Sequence, residues 1–135
     1  MSFTELMEIL NNDGVSYLQY TNEAIQYIES TDPSKMNETE KSLYDYTKLN
    51  LQRSARIDKS FTPSEELKLA VADIKENQIW MVITENWCGD SAQILPVIEK
   101  TASLSGSIQL KIIGRDSHPE IMNLYLTNGT LSIPV

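Results

Sequence analysis

The sequence has almost no cysteine: Cys88 is the only one among 135 residues. A single cysteine excludes an internal disulfide. With one histidine, His118, it also lacks the ligand spacing of a structural zinc site, so we predict no metal and no cofactor. The opening residues "MSFTELMEILNNDG" carry acids where a secretion signal carries basic residues. These features fit a reducing compartment, and we predict a cytoplasmic protein.

Basic residues and long apolar runs are also scarce. There are 11 Lys and Arg against 19 Asp and Glu, which gives a net charge of −8. A surface of this sign repels phosphates and anionic lipids, so we expect neither nucleic acid nor membrane as a partner. No apolar run approaches the ~20 residues that cross a bilayer. Hydrophobic residues still make up 41% of the chain, enough for one domain with a packed core.

Apolar residues at helical spacing predict a helical extension over residues 1–76. Within it, "ETEKSLYDYTKLNLQRSARIDKS" predicts the longest helix. The apolar positions expected on its buried face are Leu43, Tyr46, Leu49, Leu51 and Ile57. Basic residues gather in its second half, which is typical of a solvated helix C-terminus. The alternative is that Arg53, Arg56 and Lys59 receive an anionic thiol.

The remaining residues, 77–135, alternate between strand and helix patterns. "IWMVIT" and "SIQLKIIGRD" are apolar and β-rich, as expected of strands buried on both faces. Between them, "DSAQILPVIEKTASLSG" predicts a helix interrupted by Pro96. "SHPEIMNLYLTNG" predicts a second helix, capped by Ser117 and ended by Asn128 and Gly129. The order predicts an α/β fold with a parallel βαβ core.

Cys88 lies where the first strand gives way to the helix. Backbone N–H groups and the helix dipole at such a position favour a thiolate over a thiol. Gly89 permits close approach of a second molecule, and Trp87 supplies an apolar wall. Ser91, one turn along, has a hydroxyl that can turn toward the sulfur and donate to it. We therefore expect Cys88 at a helix N-terminus, at least partly accessible to solvent.

Two considerations oppose a reactive cysteine. Asp90 and Glu85 are nearby carboxylates, and negative neighbours disfavour a thiolate. A lone cysteine is also commonly a small buried hydrophobic residue. His118, beside Pro119, has no recognisable catalytic partner, so a role at the start of a helix is favoured over catalysis.

The segment "NWCGDSAQILP" resembles the active site of the thioredoxin superfamily, which has Trp-Cys-Gly-Pro-Cys followed by a helix-kinking proline. Trp87, Cys88 and Gly89 match that pattern, and Pro96 falls at the kink spacing. Pro134 in "SIPV" matches the family's cis-proline. The site also resembles a bacterial subgroup with Trp-Cys-Gly-Asp-Ser/Ala-Ala-Gln. Members of that subgroup carry a helical N-terminal extension, part of which "YTKLNLQRSARIDK" resembles.

The resemblance implies a thioredoxin-like βαβ core with two departures. Ser91 replaces the second cysteine, and Val82 stands where the family has a buried acid that assists proton transfer. The C-terminal hairpin and helix of the fold are absent from these residues. We therefore expect "TLSIPV" to be poorly ordered unless a neighbouring chain holds it, with possible self-association through an open sheet edge.

The resemblance further implies a site made of catalytic Cys88 and Ser91 and of substrate-binding Trp87, Gly89, Asp90, Ile133 and Pro134. Three hypotheses follow, and together they leave open whether the protein is an enzyme. In the first, Cys88 exchanges with a protein disulfide or a low-molecular-weight thiol, and an external thiol resolves the mixed disulfide. In the second, the groove beside Pro134 binds an extended peptide without catalysis. In the third, Cys88 senses peroxide.

Overall fold

The computed structural model describes all 135 residues. The predicted fold class is confirmed: helices precede a two-stranded parallel βαβ core. The elements are α1 (Phe3–Asp13), α2 (Tyr17–Ser30), a 3₁₀ turn (Pro33–Lys35), α3 (Glu38–Ser60), α4 (Glu65–Ala72), β1 (Gln78–Thr84), α5 (Gly89–Ala102), β2 (Ile108–Gly114) and α6 (Pro119–Met122).

Side-chain caps start the four N-terminal helices. Ser2 and Glu5 form a capping box at α1, in which each side chain bonds the other residue's backbone N–H. Ser16, Asn37 and Ser64 accept one N–H each at the starts of α2, α3 and α4. Each cap satisfies a donor that the first turn of a helix otherwise leaves unpaired, and so fixes where the helix begins.

The sheet separates two apolar clusters. β1 and β2 pair in parallel from Gln78–Ile108 to Thr84–Gly114, and α5 makes the crossover. Because side chains alternate along a strand, Val82 faces one side and Ile83 the other. The cluster under α4 and α5 contains Val71, Val82, Leu95, Ala102, Ile108, Leu110 and Ile112. The cluster under α1 and α6 contains Leu10, Ile83, Ile113, Ile121 and Met122.

Helix α3 forms an additional layer, because it packs against α5 and α2 and not against the sheet. Lys100 of α5 donates through Nζ to two carbonyls at the end of α3, those of Asp58 and of Phe61, the latter at 2.6 Å. A cation at this position complements the negative end of the helix dipole. The C-terminal end of α3 is therefore bonded to the C-terminal part of α5.

Each outer edge of the sheet is met by one residue of the same chain. Val15 exchanges two backbone hydrogen bonds with Ile112 of β2, at 2.9 and 2.8 Å. Val135 does the same with Ile83 of β1, at 2.8 and 3.2 Å. The expectation of a poorly ordered "TLSIPV" segment is therefore wrong. Its last residue is held by the backbone of β1 within the chain.

Two predictions about the helices are also wrong. On α3 the buried residues are Tyr44, Thr47 and Asn50. Of the five predicted positions, Leu43, Tyr46 and Leu49 are exposed, and only Leu51 and Ile57 are partly buried. Thr47 and Asn50 face the polar loop after β1, so polar residues are buried at that part of the helix. The predicted helix over residues 117–129 is limited to α6, and His118 is its N-cap in place of Ser117. Asn128 and Gly129 instead have positive φ in a turn between Thr127 and Thr130.

No helix of the structure combines the length and the apolar character that crossing a membrane requires.

Two adjacent residues of α5 test the placement of the core. Leu95 is 1% exposed within the cluster under α5, whereas Ile94 is 44% exposed. Leu95→Ala should lower the free energy of unfolding by about 2–5 kcal/mol, because it removes buried methyl groups and leaves a cavity. Ile94→Ala should change it by less than about 1 kcal/mol. Urea denaturation of both variants measures the difference, and equal losses would contradict the assigned faces of α5.

Candidate functional site

Helix α3 holds the loop that carries Cys88. Thr47 Oγ1 lies 3.2 Å from Asn86 Oδ1, although its hydroxyl also donates to the Leu43 carbonyl at 2.8 Å. Asn50 donates through Nδ2 to the Asn86 carbonyl at 3.1 Å. One turn further on, Ser54 donates through Oγ to the Ala92 carbonyl at 2.7 Å. Sequence reasoning missed these residues. Their signal was a polar stripe at helical spacing of three and four on one face of α3.

Cys88 is the N-cap of α5, so the prediction that it lies at a helix N-terminus is confirmed. Its carbonyl accepts the N–H of Ala92 at 3.2 Å, and its own N–H bonds the Glu85 carbonyl at 3.1 Å. The expectation of partial solvent accessibility is wrong, because the residue is only 8% exposed. It belongs to neither apolar cluster of the fold.

The cover over the thiol is the segment before Val135. Cys88 Sγ lies 3.7 Å from the Ile133 carbonyl oxygen. The predicted cis peptide between Ile133 and Pro134 is confirmed, and so is its placement near the cysteine. The backbone bonds between Val135 and Ile83 hold this segment against β1. Cys88 is therefore buried with the Ile133 carbonyl over its sulfur, and it lies outside the two apolar clusters.

Ser91 does not face the sulfur. The residue is fully buried, and its hydroxyl forms a hydrogen bond with Thr84 Oγ1 on β1. The expectation that Ser91 donates to Cys88 is wrong, because the nearer buried hydroxyl of Thr84 pairs with it. The structure leaves no buried side-chain polar atom unpaired. Ser91 therefore fastens the first turn of α5 to the strand that precedes it.

Trp87 forms one wall of the site and lies under Arg115. The Arg115 Cζ atom is 5.1 Å from the centre of the Trp87 ring, within the range of a cation–π interaction. Arg115 also donates to Asp116 at 2.8 Å and to the Leu131 carbonyl at 3.3 Å. This arginine therefore connects the Trp87 wall to the segment that covers the thiol.

Gly89 and Asp90 form the first turn of α5. Asp90 is exposed, where a carboxylate complements the positive end of the helix dipole. A Cβ atom at Gly89 would lie 3.1 Å from Arg53 Nη1, so a larger residue would push against that guanidinium. The absence of a side chain at residue 89 therefore lets α3 approach the backbone beside Cys88.

Two ionisable groups beside the site are perturbed. Burial raises the pKa of the Glu85 carboxyl, although the Asp116 N–H that it accepts at 2.8 Å acts in the opposite direction. Burial also raises the pKa of the Tyr20 phenol. The Cys88 and Glu85 side chains raise it further, by smaller amounts. The Tyr20 phenol therefore remains neutral next to the site.

His118 lies away from the sulfur, in a separate group of side chains. Its Nε2 is 3.0 Å from Asp13 Oδ2, and its Nδ1 is 2.9 Å from Ser117 Oγ. These contacts join the end of α1 to the start of α6, as expected for a residue at a helix N-terminus. No group of three or more His, Cys, Asp or Glu side chains is arranged to share a metal ion.

The comparison with protein families identifies the domain. A family model described as thioredoxin matches residues 36–135, about three quarters of the chain. The chain belongs to the thioredoxin family. No curated protein and no solved structure matched the chain.

The thioredoxin-family match extends over α3 and α4 as well as the βαβ core. The domain differs from a dithiol thioredoxin in having one cysteine and hence no internal disulfide pair. Val82 is buried in the apolar cluster under α5 and offers no group for proton transfer.

The raised pKa of Glu85 predicts how the stability of this thioredoxin domain changes with pH. The folded chain keeps the Glu85 proton to higher pH than the unfolded chain, so this group reduces stability as the pH rises through the raised pKa. Glu85→Gln removes the charge but keeps an oxygen for the Asp116 N–H. The variant should equal the wild type below about pH 4 and be more stable near pH ~7.

Urea denaturation across this pH range measures the difference in the free energy of unfolding. Glu8→Gln is the matched control, because Glu8 is exposed on α1 and loses the same charge. A difference for Glu85→Gln that does not grow with pH would contradict the prediction.

Proposed function

We propose that the protein carries out one-cysteine thiol–disulfide exchange, with Cys88 as the nucleophile. The observation that carries this proposal is the position of Cys88 at the start of α5, outside both apolar clusters. Unpaired backbone N–H groups at a helix start favour a thiolate. The proposal therefore rests on where the sulfur lies and not on the presence of a cysteine alone.

The exchange has two balanced steps. The Cys88 thiolate attacks one sulfur of a disulfide, the new Cys88–sulfur bond forms, and the old S–S bond breaks. The departing thiolate carries away the electron pair and takes a proton from water. An external thiolate then attacks the mixed disulfide, restores the Cys88 thiolate and leaves with the former substrate sulfur. Ser91 has no sulfur to perform this second step.

Access to the sulfur requires the covering segment to move. Cys88 is 8% exposed, and the cover is held on β1 by the two backbone bonds of Val135. A substrate in extended conformation would take over the edge that Ile133, Pro134 and Val135 occupy. In this proposal Trp87, Gly89 and Asp90 contact the substrate on the opposite side of the sulfur. Ser91 holds α5 through Thr84.

A mixed disulfide should therefore form and persist. Folded protein treated with a small neutral disulfide, bis(2-hydroxyethyl) disulfide, should gain one adduct by intact mass. The adduct should survive removal of the reagent, because the chain contains no second thiol, and dithiothreitol should release it. Ser91→Cys is the matched variant. Its added thiol should expel the adduct and leave an internal disulfide.

If the disulfide reacts with the folded chain no faster than the chain unfolds globally, this proposal is wrong. Loss of the adduct from wild type without added thiol would also contradict it.

A second candidate function is non-catalytic peptide binding, and a specific feature of β1 favours it. The Ile83 N–H and carbonyl point away from β2 toward Val135. Because backbone groups alternate along a strand, those of Met81 and Ile79 point to the same outer edge. An extended peptide could add there as a further strand. The low exposure of Cys88 also suits a site in which the thiol is incidental.

Fluorescence anisotropy with a labelled peptide of alternating valine and threonine tests this second function. Under it, Met81→Pro should abolish binding, because proline lacks the N–H that the edge offers. Cys88→Ser should leave the affinity unchanged. Absence of binding by the wild type, or equal binding by Met81→Pro, would rule out strand addition at this edge.

A further inference from the structure

A cation from the helical extension lies beside Gly89, the residue that follows Cys88. Arg53 of α3 donates through Nη1 to Asn50 Oδ1 at 3.1 Å. The same Nη1 lies 3.1 Å from the position that a Cβ atom would take on Gly89, the residue after Cys88. The guanidinium is therefore packed against the backbone next to the sulfur, although Arg53 and Cys88 lie on different helices.

A buried amide holds this cation in place. Asn50 is 4% exposed, and it bonds at both ends of its side chain. Its oxygen accepts from Arg53, and its nitrogen donates to the Asn86 carbonyl at 3.1 Å. Because one rigid amide makes both bonds, the guanidinium has a fixed position relative to the turn that leads into Cys88.

The charge of Arg53 is not compensated by a carboxylate. None of the four ion pairs of the structure includes it. A guanidinium has five N–H donors, and Asn50 is the side chain that accepts from Arg53. Arg115, the other arginine near the sulfur, is paired with Asp116 at 2.8 Å. Arg53 is also only partly buried, so a ligand can reach it.

We propose that Arg53 is a specificity-determining residue that directs Cys88 toward anionic disulfides, and that Asn50 is its positioning residue. This inference rests on the proposed thiol exchange. A guanidinium attracts a carboxylate in the disulfide, and the same charge stabilises the thiolate that leaves when the S–S bond breaks. The substrate class is thus a disulfide with a carboxylate near the reacting sulfur. The exchange itself is the two-step reaction given above.

Two aromatic disulfides of different charge provide the test. One is dianionic, 5,5′-dithiobis(2-nitrobenzoate), and the other is neutral, 4,4′-dithiodipyridine. Because Cys88 is the only cysteine, the released thiol reports its reaction alone. The second-order rate constant for each reagent is measured in the concentration range where the rate rises linearly with the reagent. It is divided by the rate constant of the same reagent with a free cysteine peptide. The anionic-to-neutral ratio of these two normalised constants is then compared between variants. The cost of moving the cover then largely cancels.

Arg53→Gln should lower the anionic-to-neutral ratio by about two- to fivefold, the range of one partly exposed charge pair. Arg53→Lys keeps the charge and should retain most of the ratio. Arg56→Gln is the matched control, because Arg56 is exposed one turn along α3 and should leave the ratio unchanged. In high salt the wild-type ratio should fall toward that of Arg53→Gln.

Asn50→Ala should lower the ratio as Arg53→Gln does, and the double variant should lower it no further, as expected if Asn50 acts through Arg53. A merely structural role of Asn50 would change both rates equally and leave the ratio intact.

The two proposals fail in different ways. If both disulfides react but Arg53→Gln and Arg56→Gln have the wild-type ratio, the specificity inference is wrong and thiol exchange stands. If the folded wild type reacts with neither disulfide, thiol exchange is wrong and the specificity inference falls with it.

Discussion

The bonds from α3 to the loop after β1 are the interaction on which the site depends. Thr47 and Asn50 are buried polar residues, and both side chains contact Asn86. A buried amide without its partner costs about 1–3 kcal/mol, so Asn50 strongly favours one position of the loop. The loop in turn fixes where α5 begins, and thus where Cys88 lies. The helical extension is accordingly part of the site and not an appendage to the βαβ core.

The environment of the sulfur combines features that oppose one another. Cys88 is the N-cap of α5, yet it is buried and its sulfur lies 3.7 Å from the Ile133 carbonyl oxygen. Glu85 is half-buried nearby, and burial raises the pKa of its carboxyl. Arg53 adds a compensating positive charge on the side of Gly89. In the proposed chemistry the thiolate therefore depends on α3 as well as on the dipole of α5.

Local patterns in the sequence were sufficient for much of this description. The two strands, the helix between them and the position of Cys88 at the start of that helix follow from periodicity over a few residues. The burial of Cys88 and the pairing of Ser91 with Thr84 depend on which groups meet in three dimensions. The same holds for α3, whose buried face carries Thr47 and Asn50 because its partner is a polar loop. A hydrophobicity pattern predicts an apolar face and therefore selects the wrong side of such a helix.

The lysine that joins α5 to α3 has a consequence for how the chain opens. Lys100 donates to the carbonyls of Asp58 and Phe61, while Ser54 bonds the Ala92 carbonyl near the other end of α5. These bonds fasten α5 near both of its ends to the second half of α3. The amides of the two helices should therefore exchange with solvent in a single cooperative unit. The covering segment is held by fewer bonds, those of Val135 on β1 and that of Arg115 to the Leu131 carbonyl, so its fluctuations belong to a different and smaller unit. The cover can thus open on its own while the helices beneath it remain closed.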